Sequence, residues 1–211
     1  MPIPAIASYD LPRDTTAYPT VPPWQLEAGR AALLVHDMQQ YFLAAYDRSA
    51  EPIAPVLAHT RALIDACDAA DIPVFYSMQP PQQAPIRRGL LSDFWGTGLS
   101  TDEEAAVAPE LTPRAHHHLI TKWRYSAFER TDLRQALACA GRDQLIITGV
   151  YGHMGCQVSA ADAFMNDVAP FAIADAIADF SADDQHRTLD WIARRCGVVL
   201  STDAALAALK G

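Results

Sequence analysis

The stretch Leu145-Ile-Ile-Thr-Gly-Val-Tyr-Gly-His-Met-Gly-Cys156 decides the fold of this chain. Its first residues form an apolar, partly β-branched run, which is typical of a buried strand. Gly149, Gly152 and Gly155 follow, and glycines permit the backbone angles that a sharp turn into a helix requires. Because ligands of an open α/β sheet bind at the carboxyl ends of its strands, the stretch predicts a strand that ends at a binding site.

Cys156 is a candidate nucleophile at the end of this stretch. We expect it in the first turn of the following helix, where the positive end of the helix dipole favours a thiolate. The layout is that of a nucleophile elbow without the usual serine motif. The other cysteines, Cys67, Cys139 and Cys196, form no Cys-x-x-Cys pair, which disfavours a zinc knuckle and a disulfide framework. At least three of the four cysteines are predicted to fill the core.

Length and composition fit one unit with a sizeable core. The chain has 211 residues, of which 50% are hydrophobic and 19% are charged. The net charge of -9 argues against a nucleic-acid surface, because phosphate binding requires a basic patch. No apolar run reaches the roughly 20 residues that cross a bilayer, and the start of the chain lacks the features of a signal peptide. We therefore predict a cytoplasmic protein that binds neither nucleic acid nor membranes.

The rest of the chain alternates between apolar runs and helical patterns. Residues 1–29 contain six of the fifteen prolines and show no period, which predicts an extended arm on the surface. A second proline-rich segment, 79–85, opens a long loop after the second predicted strand. The alternation predicts an α/β fold of three layers (αβα), in which a six-stranded parallel sheet carries helices on both faces. The predicted strands are 31–35, 74–78, 118–121, 145–148, 171–174 and 198–200, and the predicted helices are 54–70, 132–140, 155–167, 183–196 and 202–209.

Three polar residues fall just past three predicted strand ends: Asp37, Lys122 and Cys156. Each alone has a structural explanation, because an aspartate after a strand often caps a helix and a buried cysteine is usually inert. The carboxyl ends of parallel strands meet at one edge of the sheet, so we expect the three side chains to converge on one site.

Four motifs around these positions closely resemble the isochorismatases. They are Val35-His-Asp-Met-Gln39, Lys122-Trp-Arg-Tyr-Ser-Ala-Phe128, Gly149-Val-Tyr-Gly-His-Met-Gly-Cys156 and Ala174-Asp-Ala-Ile-Ala-Asp-Phe-Ser181. The resemblance covers nearly the whole chain, including its proline-rich start, and the second and third motifs are specific to that branch. It implies an isochorismatase-like, Rossmann-like fold and assembly as a homodimer or a larger homo-oligomer.

The resemblance also implies an activity. Isochorismatases hydrolyse a vinyl ether to pyruvate and a dihydroaromatic diol, in siderophore or phenazine biosynthesis, and they use no cofactor. We expect one domain over residues 1–211 and, since the chain stops at Gly211, no aryl carrier domain of the kind that siderophore-pathway relatives often have. Whether the substrate ring carries a 2-hydroxyl (isochorismate) or a 2-amino group (2-amino-2-deoxyisochorismate) stays open at this point, as does the pathway.

Individual site residues follow from the same resemblance. The aspartate that matches Asp37 is the general acid of the family, and the lysine that matches Lys122 lies beside it. Cys156 matches the nucleophile of the related amidohydrolases, although the phenazine-pathway isochorismatase has an apolar residue there. The bond matching 150–151 is a cis peptide. The positions that contact substrate match Gln79, Arg88, Tyr151 and Gly155, and those that wall the pocket match Phe42, Trp95 and Tyr125.

Chemistry supports the role of the acid independently. A vinyl ether hydrolyses when an acid protonates its methylene carbon and water captures the resulting oxocarbenium ion, so one carboxylic acid is needed and no nucleophile. Lys122 would favour the ionised form of Asp37, whereas apolar walls and the two carboxylates of the substrate would favour the protonated form. Arg88 suits a substrate carboxylate because its planar fork binds two oxygens, although spacing alone does not choose between Arg87 and Arg88.

Two other functions compete with this one. In the first, Asp37 and Lys122 activate Cys156 as the nucleophile of a metal-independent amidohydrolase. In the second, the protein keeps the fold for binding alone, which the preserved acid and lysine disfavour. The metal-using amidohydrolases carry an aspartate and histidines after the first two strands, and Ser77-Met-Gln-Pro-Pro81 offers neither, so we predict no metal.

Several remaining polar and aromatic residues are predicted to be structural. The run His116-His-His118 alternates between two faces of an extended segment and has no partner carboxylate nearby, which indicates a solvated strand entry. Ser181 is predicted to cap the helix that follows it. Asp162, Asp175 and Asp179 are expected to cap helices or join salt bridges, and Phe164 and Phe171 are expected in the core.

Overall fold

A parallel six-stranded sheet forms the centre of the molecule, which a computed structural model describes over residues 3–210. The spatial order of the strands is β3-β2-β1-β4-β5-β6, and every neighbouring pair is parallel. The predicted six-stranded α/β fold is therefore confirmed. The strands are β1 (Ala31–His36), β2 (Val74–Met78), β3 (His118–Thr121), β4 (Gln144–Val150), β5 (Ala169–Ala178) and β6 (Val198–Leu200).

Helices cover both faces of this sheet, as predicted. Helices α2 and α9 pack on one face, where Leu63 and Leu209 join Leu33 in one apolar cluster. Helices α6, α7 and α8 pack on the other face around Leu34 and Ile147. The helices are α1 (Gln40–Leu43), α2 (Ile53–Ala69), α3 (Pro85–Arg88), α4 (Leu91–Trp95), α5 (Asp102–Ala105), α6 (Leu133–Cys139), α7 (Gln157–Met165), α8 (Ala182–Arg195) and α9 (Thr202–Leu209).

The order of the strands places a crevice between β1 and β4. After β1 the chain adds β2 and β3 on one side, and it then returns to place β4, β5 and β6 on the other side. The connections therefore leave the sheet in opposite directions at this point, and ligands of such sheets bind there. All side chains of β1 and β4 are buried, because helices cover both faces of these central strands.

Several local predictions need correction. The predicted loops contain four short helices, α1, α3, α4 and α5, which are too short to show a helical period in sequence. Strand β5 is longer than predicted, because its register against β4 shifts between Ile147 and Gly149 and pairing then resumes. Phe164 is 47% exposed and not in the core, since it lies at the margin of the face that α7 buries. The predicted cap of α8 is confirmed, because Ser181 accepts a hydrogen bond from the amide of Asp184.

The proline-rich arm is extended, as predicted, but it does more than lie on the surface. Over residues 3–29 its only helical element is the single turn Thr15–Ala17. Ile6, Leu11, Tyr18 and Leu26 are nevertheless buried in the two apolar clusters. The arm is therefore part of the core. Within residues 3–210, no helix has the length and apolar composition that a bilayer span needs.

Candidate active site

The loops that follow β1, β2, β3 and β4 meet around a pocket. The structure brings nine of the ten predicted site residues together in the lining of this pocket. The tenth, Cys156, lies beneath it. The nine are Asp37, Phe42, Gln79, Arg88, Trp95, Lys122, Tyr125, Tyr151 and Gly155.

Asp37 sits directly after β1 with a left-handed backbone, at φ 51°. Aspartate tolerates this conformation better than most residues, and its amide is held by a 3.0 Å hydrogen bond to the carbonyl of Ser77. Its Oδ2 forms an ion pair with Lys122 Nζ at 2.9 Å and accepts a hydrogen bond from Gln79 Nε2 at 3.3 Å. Its Oδ1 is buried and has no hydrogen-bond partner among residues 3–210. One oxygen of the carboxylate is thus anchored and the other is free.

Lys122 is held as the cationic partner of Asp37. Its side chain is 1% exposed, and its Nζ contacts Asp37 Oδ2 at 2.9 Å. Nζ also donates to the carbonyls of Arg124 at 2.7 Å and of Tyr125 at 3.4 Å. The ammonium is thus compensated by one carboxylate and two carbonyl oxygens. Pairing and hydrogen bonding of this kind offset the cost of burying the charge.

Arg88 reaches the same pocket from the end of α3. Its Nη1 donates to Gln79 Oε1 and its Nε donates to the carbonyl of Gly96, both at 3.0 Å. The residue is 4% exposed, and burial lowers the pKa of the guanidinium. Within the described part of the chain it forms no ion pair with a carboxylate. Gly98 makes this position possible, because a Cβ there would lie 2.7 Å from Arg88 Cζ.

Gln39 is a buried residue of the site region that the sequence analysis missed. Its Oε1 accepts a hydrogen bond from the amide of Gln79 at 2.8 Å, and its Nε2 donates to the carbonyls of Gln79 and Ala105. It therefore ties the loop after β1 to the loop after β2. The only signal in sequence was its place in the motif that begins at Val35.

Aromatic side chains form the walls of the pocket. Trp95 Nε1 donates to the hydroxyl of Tyr125 at 2.7 Å, which joins the loop after β2 to the loop after β3. The hydroxyl of Tyr151 donates to the carbonyl of Phe42 at 2.6 Å, and the two rings meet edge to face. These polar atoms are satisfied within the wall, so the surface they present is mainly apolar. The peptide bond between Val150 and Tyr151 is cis, as the resemblance implied.

His36 is the second residue that the sequence analysis missed, and it lies directly under the pocket. It is fully buried, its Nδ1 is 2.8 Å from Ser77 Oγ, and its Nε2 lies 3.8 Å from Asp37 Oδ2 without a hydrogen-bond partner in residues 3–210. Burial lowers the pKa of His36 to about 4, so the ring is neutral. A Cβ at Gly155 would lie 1.9 Å from His36 Nε2, so the packing of this ring requires glycine at 155.

Cys156 does not have the environment that the sequence predicted. Residues Gly152–Cys156 form a π-helical turn, and the amide of Cys156 donates to the carbonyl of Tyr151 at 3.3 Å. The side chain is fully buried, and burial raises the pKa of the thiol well above 9.0, assisted by the charges of Asp179 and Asp37. This burial favours the neutral thiol over the predicted thiolate, because the charged form would lose its hydration. Cys67 and Cys196 are buried too, which confirms the prediction of three core cysteines.

The histidine run has a partner carboxylate after all, since helix α2 supplies Asp68. The Nε2 atoms of His116 and His117 each lie 2.9 Å from Asp68 Oδ1, and Arg114 also pairs with Asp68. His117 Nδ1 accepts the amide of Arg114 at 3.0 Å, so its Nε2 carries the proton. A metal bound to Nε2 would require the proton to move to Nδ1, and the hydrogen bond from the amide of Arg114 would then be lost. The cluster therefore fits a clamp between α2 and β3 better than a metal site.

The two aspartates near the end of β5 hold structure, as predicted. Asp175 Oδ1 accepts hydrogen bonds from the amide and hydroxyl of Thr202 at 2.8 Å, at the first residue of α9. Asp179 is fully buried and pairs with His153. Phe171 is fully buried in the core.

Comparison with known proteins agrees with the fold and with the motifs around the pocket. The Isochorismatase domain family matches residues 31–204. The chain is 45% identical over 209 residues to enterobactin synthase component B of Escherichia coli strain K12, covering 99% of this chain and 73% of that protein. It is 44% identical to the isochorismatase of Bacillus subtilis, covering 98% and 66%. It is 43% identical to phenazine biosynthesis protein PhzD1 of Pseudomonas aeruginosa, covering 97% and 98%.

Solved structures support the fold alone at lower identity. A cysteine hydrolase from Pseudomonas syringae pv. phaseolicola superposes with a TM-score of 0.83 at 24% identity, covering 92% of this chain and 98% of that chain. The N-carbamoylsarcosine amidase of Thermoplasma acidophilum superposes with a TM-score of 0.68 at 23% identity, covering 82% and 97%. These superpositions agree with the six-stranded parallel sheet and its covering helices. This chain belongs to the isochorismatase family and is an isochorismatase-type hydrolase.

Proposed function

We propose that this protein hydrolyses the vinyl ether of isochorismate, or of 2-amino-2-deoxyisochorismate, with Asp37 as the general acid. The products are pyruvate and a 2,3-dihydro-2,3-dihydroxybenzoate-type ring. The observation that carries this proposal is that the two oxygens of the Asp37 carboxylate have different surroundings. Lys122 and Gln79 occupy Oδ2, while Oδ1 is buried beside an apolar pocket with no partner in residues 3–210.

The mechanism needs one proton transfer to carbon. Protonated Oδ1 of Asp37 donates its proton to the methylene carbon, and the ether oxygen supplies the electron pair that forms the oxocarbenium ion. Water adds to this cation, and the resulting hemiketal collapses to pyruvate and the ring alcohol. The ionised Asp37 stabilises the positive charge that its own proton created. Lys122 holds the carboxylate in place through Oδ2, so Oδ1 stays available.

Protonation of Asp37 before the reaction is promoted by the substrate. Without substrate, the ammonium of Lys122 lies 2.9 Å from Asp37 Oδ2 as its counter-charge. The two carboxylates of the substrate bring negative charge into an apolar pocket and favour the neutral acid. Substrate binding thus favours the protonated form of Asp37 that the reaction needs.

Arg88 supplies the counter-charge for one substrate carboxylate. It is a buried guanidinium without a carboxylate partner in the described residues, and such a group is costly until an anion binds to it. Its fork can hold both oxygens of a carboxylate. Arg87 instead lies over the ring of Trp123, with its Cζ 5.5 Å from the ring centroid. The contacts therefore support Arg88 and not Arg87.

The competing amidohydrolase is disfavoured by the state of Cys156. A cysteine nucleophile must reach the substrate and form a thiolate. Here the thiol is fully buried, is not part of the pocket lining, and has a pKa raised by that burial. We therefore assign no chemical step to Cys156.

Release of pyruvate from the two candidate substrates tests the proposal. The purified protein is given each substrate in turn, and pyruvate is followed with a coupled lactate dehydrogenase. We expect pyruvate from at least one of them, with unchanged rate after exhaustive chelation, and the ratio of the two kcat/KM values identifies the substrate. Absence of pyruvate from both, together with turnover of an amide such as nicotinamide, would overturn the proposal in favour of the amidohydrolase.

We further propose a homodimer in the cytoplasm, on the basis of the family resemblance. Light scattering at micromolar concentration should report twice the chain mass of 23.0 kDa. A mass of one chain would contradict it.

A further inference from the structure

The arm contributes a side chain to the catalytic pocket. Ile3 lines the pocket together with Asp37, although 34 residues of chain separate them. It also packs against the apolar cluster on the α2 face of the sheet. The pocket is therefore incomplete without a residue that precedes the first strand by almost thirty positions.

Ile3 also borders a second space outside the pocket. An open groove lies beside the pocket, and Ile3 and Tyr41 line both the pocket and this groove. These two side chains therefore form the partition between them. The groove side carries Glu103 and Glu104, which are negatively charged at neutral pH. Ile3 thus borders a groove whose lining includes two acidic residues.

The arm is fastened close to this partition. The amide of Ile6 donates to the carbonyl of Ala45 at 2.8 Å, and the side chain of Ile6 is buried. The hydroxyl of Tyr9 accepts the amide of Asp179 at 2.7 Å and donates to Gln185 Oε1 at 2.6 Å. Two anchors within six residues of Ile3 hold its side chain at the pocket.

We propose that Ile3 is a specificity-determining residue, which closes the pocket on the side of the acidic groove. This inference rests on the proposed function, which supplies the substrate. A dianionic dihydroaromatic acid binds in an apolar pocket with two cations, Lys122 and Arg88. Removing Ile3 would join the pocket to the groove, hydrate the site and expose the substrate to Glu103 and Glu104.

Kinetics of Ile3→Ala test this role. Because Ile3 lines the pocket and has no group that takes part in the proton transfer, we expect KM to rise about 10-fold, the scale of a few lost methyl groups, with kcat changed less than about 2-fold. Ile3→Val should restore most of the affinity. Val21→Ala is the matched control, because Val21 is an arm residue that is 71% exposed, and it should change neither constant. An unchanged KM in Ile3→Ala would overturn the proposal.

A second measurement does not depend on any substrate. Met154 lines the pocket, so the variant Met154→Cys places a thiol there, and the exposed Cys139 serves as an internal reference. Mass spectrometry gives the rates at which N-ethylmaleimide modifies the two thiols. Adding Ile3→Ala should raise the ratio of these rates about 10-fold or more, with the thermal unfolding midpoint unchanged. An unchanged ratio would show that Ile3 does not close the pocket. If the ratio rises but the native protein releases no pyruvate, the proposed function is rejected and the role of Ile3 in closing the pocket stands.

Discussion

Two buried aspartates, Asp37 and Asp179, lie at the carboxyl ends of β1 and β5. They differ in how their partners are distributed over the two oxygens of the carboxylate. Asp179 Oδ1 accepts from His153 Nδ1 and from the amide of Phe180, and its Oδ2 accepts from the amide of His153 and from Thr188 Oγ1. Asp37 has both partners on Oδ2 and none on Oδ1 within residues 3–210.

The difference separates a structural carboxylate, Asp179, from Asp37, the carboxylate to which we assign the chemistry and which we call the chemical carboxylate. A buried carboxylate whose oxygens are all used stabilises the fold and has no capacity left for a ligand. A buried carboxylate with one unpaired oxygen makes the folded state less stable, because that oxygen has lost its hydrogen bonds to water. The same oxygen remains available for a proton and a substrate. Burial alone does not distinguish the two, because Asp37 is 5% exposed and Asp179 is 0% exposed.

The largest effect is expected at the chemical carboxylate. Asp37→Asn keeps the shape and tolerates the left-handed backbone, but an amide cannot supply the acid. We expect kcat to fall by about 100- to 10,000-fold, the range typical of losing a general acid or base. Single-turnover pyruvate release measures it, and circular dichroism checks the fold. Retention of more than a tenth of the activity would remove Asp37 from the mechanism.

The structural carboxylate should show the reverse pattern. Asp179→Ala leaves the amides of His153 and Phe180 without their acceptor, and each unpaired buried donor costs about 1–3 kcal/mol. We expect the free energy of unfolding to fall by about 3 kcal/mol in urea titrations, with kcat changed less than about 3-fold. Asp179→Asn, which keeps one acceptor oxygen, should lose less. A stable but inactive Asp179→Ala would erase the distinction between the two aspartates.

The partner of Asp179 adds a pH dependence to the stability. Its hydrogen bond with Asp179 raises the pKa of His153 above 6.5. The stabilisation is then complete below pH 6.5 and is lost as pH rises through the folded-state pKa. Buried His36, with its pKa lowered to about 4, acts oppositely and loses stabilisation as pH falls below 6.5.

Urea titrations of the native protein and of His153→Gln at about pH 6 and about pH 9 isolate this effect. The stability difference between them should be larger at the lower pH, and smaller than the loss in Asp179→Ala. An equal difference at both values would mean that His153 does not titrate in that window.

The smallest effect is expected at Cys156. Because the thiol is buried and protonated, Cys156→Ala should change kcat less than about 3-fold and lower the free energy of unfolding by about 1 kcal/mol, the scale of one buried group. Iodoacetamide should not inactivate the native enzyme. Should Cys156→Ala prove as inactive as Asp37→Asn while folded, the vinyl-ether mechanism is wrong.

Much of the fold and of the site follows from local sequence. The apolar runs at β1 and β4 predict buried strands, and Asp37 and Lys122 follow strands directly, so their meeting at one edge is a consequence of parallel topology. The short helices α3 and α4 are not predictable in this way. They span four and five residues, and the position of Arg88 that depends on them required the resemblance.

By itself, the sequence determined which residue types stand at the strand ends, because a side chain's place along a strand depends on its immediate neighbours. Tertiary structure alone decided the burial, the hydrogen-bond partners and the pKa shifts of the side chains. Burial raises the pKa of Cys156, Asp68 reaches the histidine run from 48 residues away, and Ile3 lines a pocket whose other residues lie far along the chain. The physical reason is that hydration, charge and hydrogen bonding act through space, so each depends on every residue that packs nearby, whatever its distance in sequence.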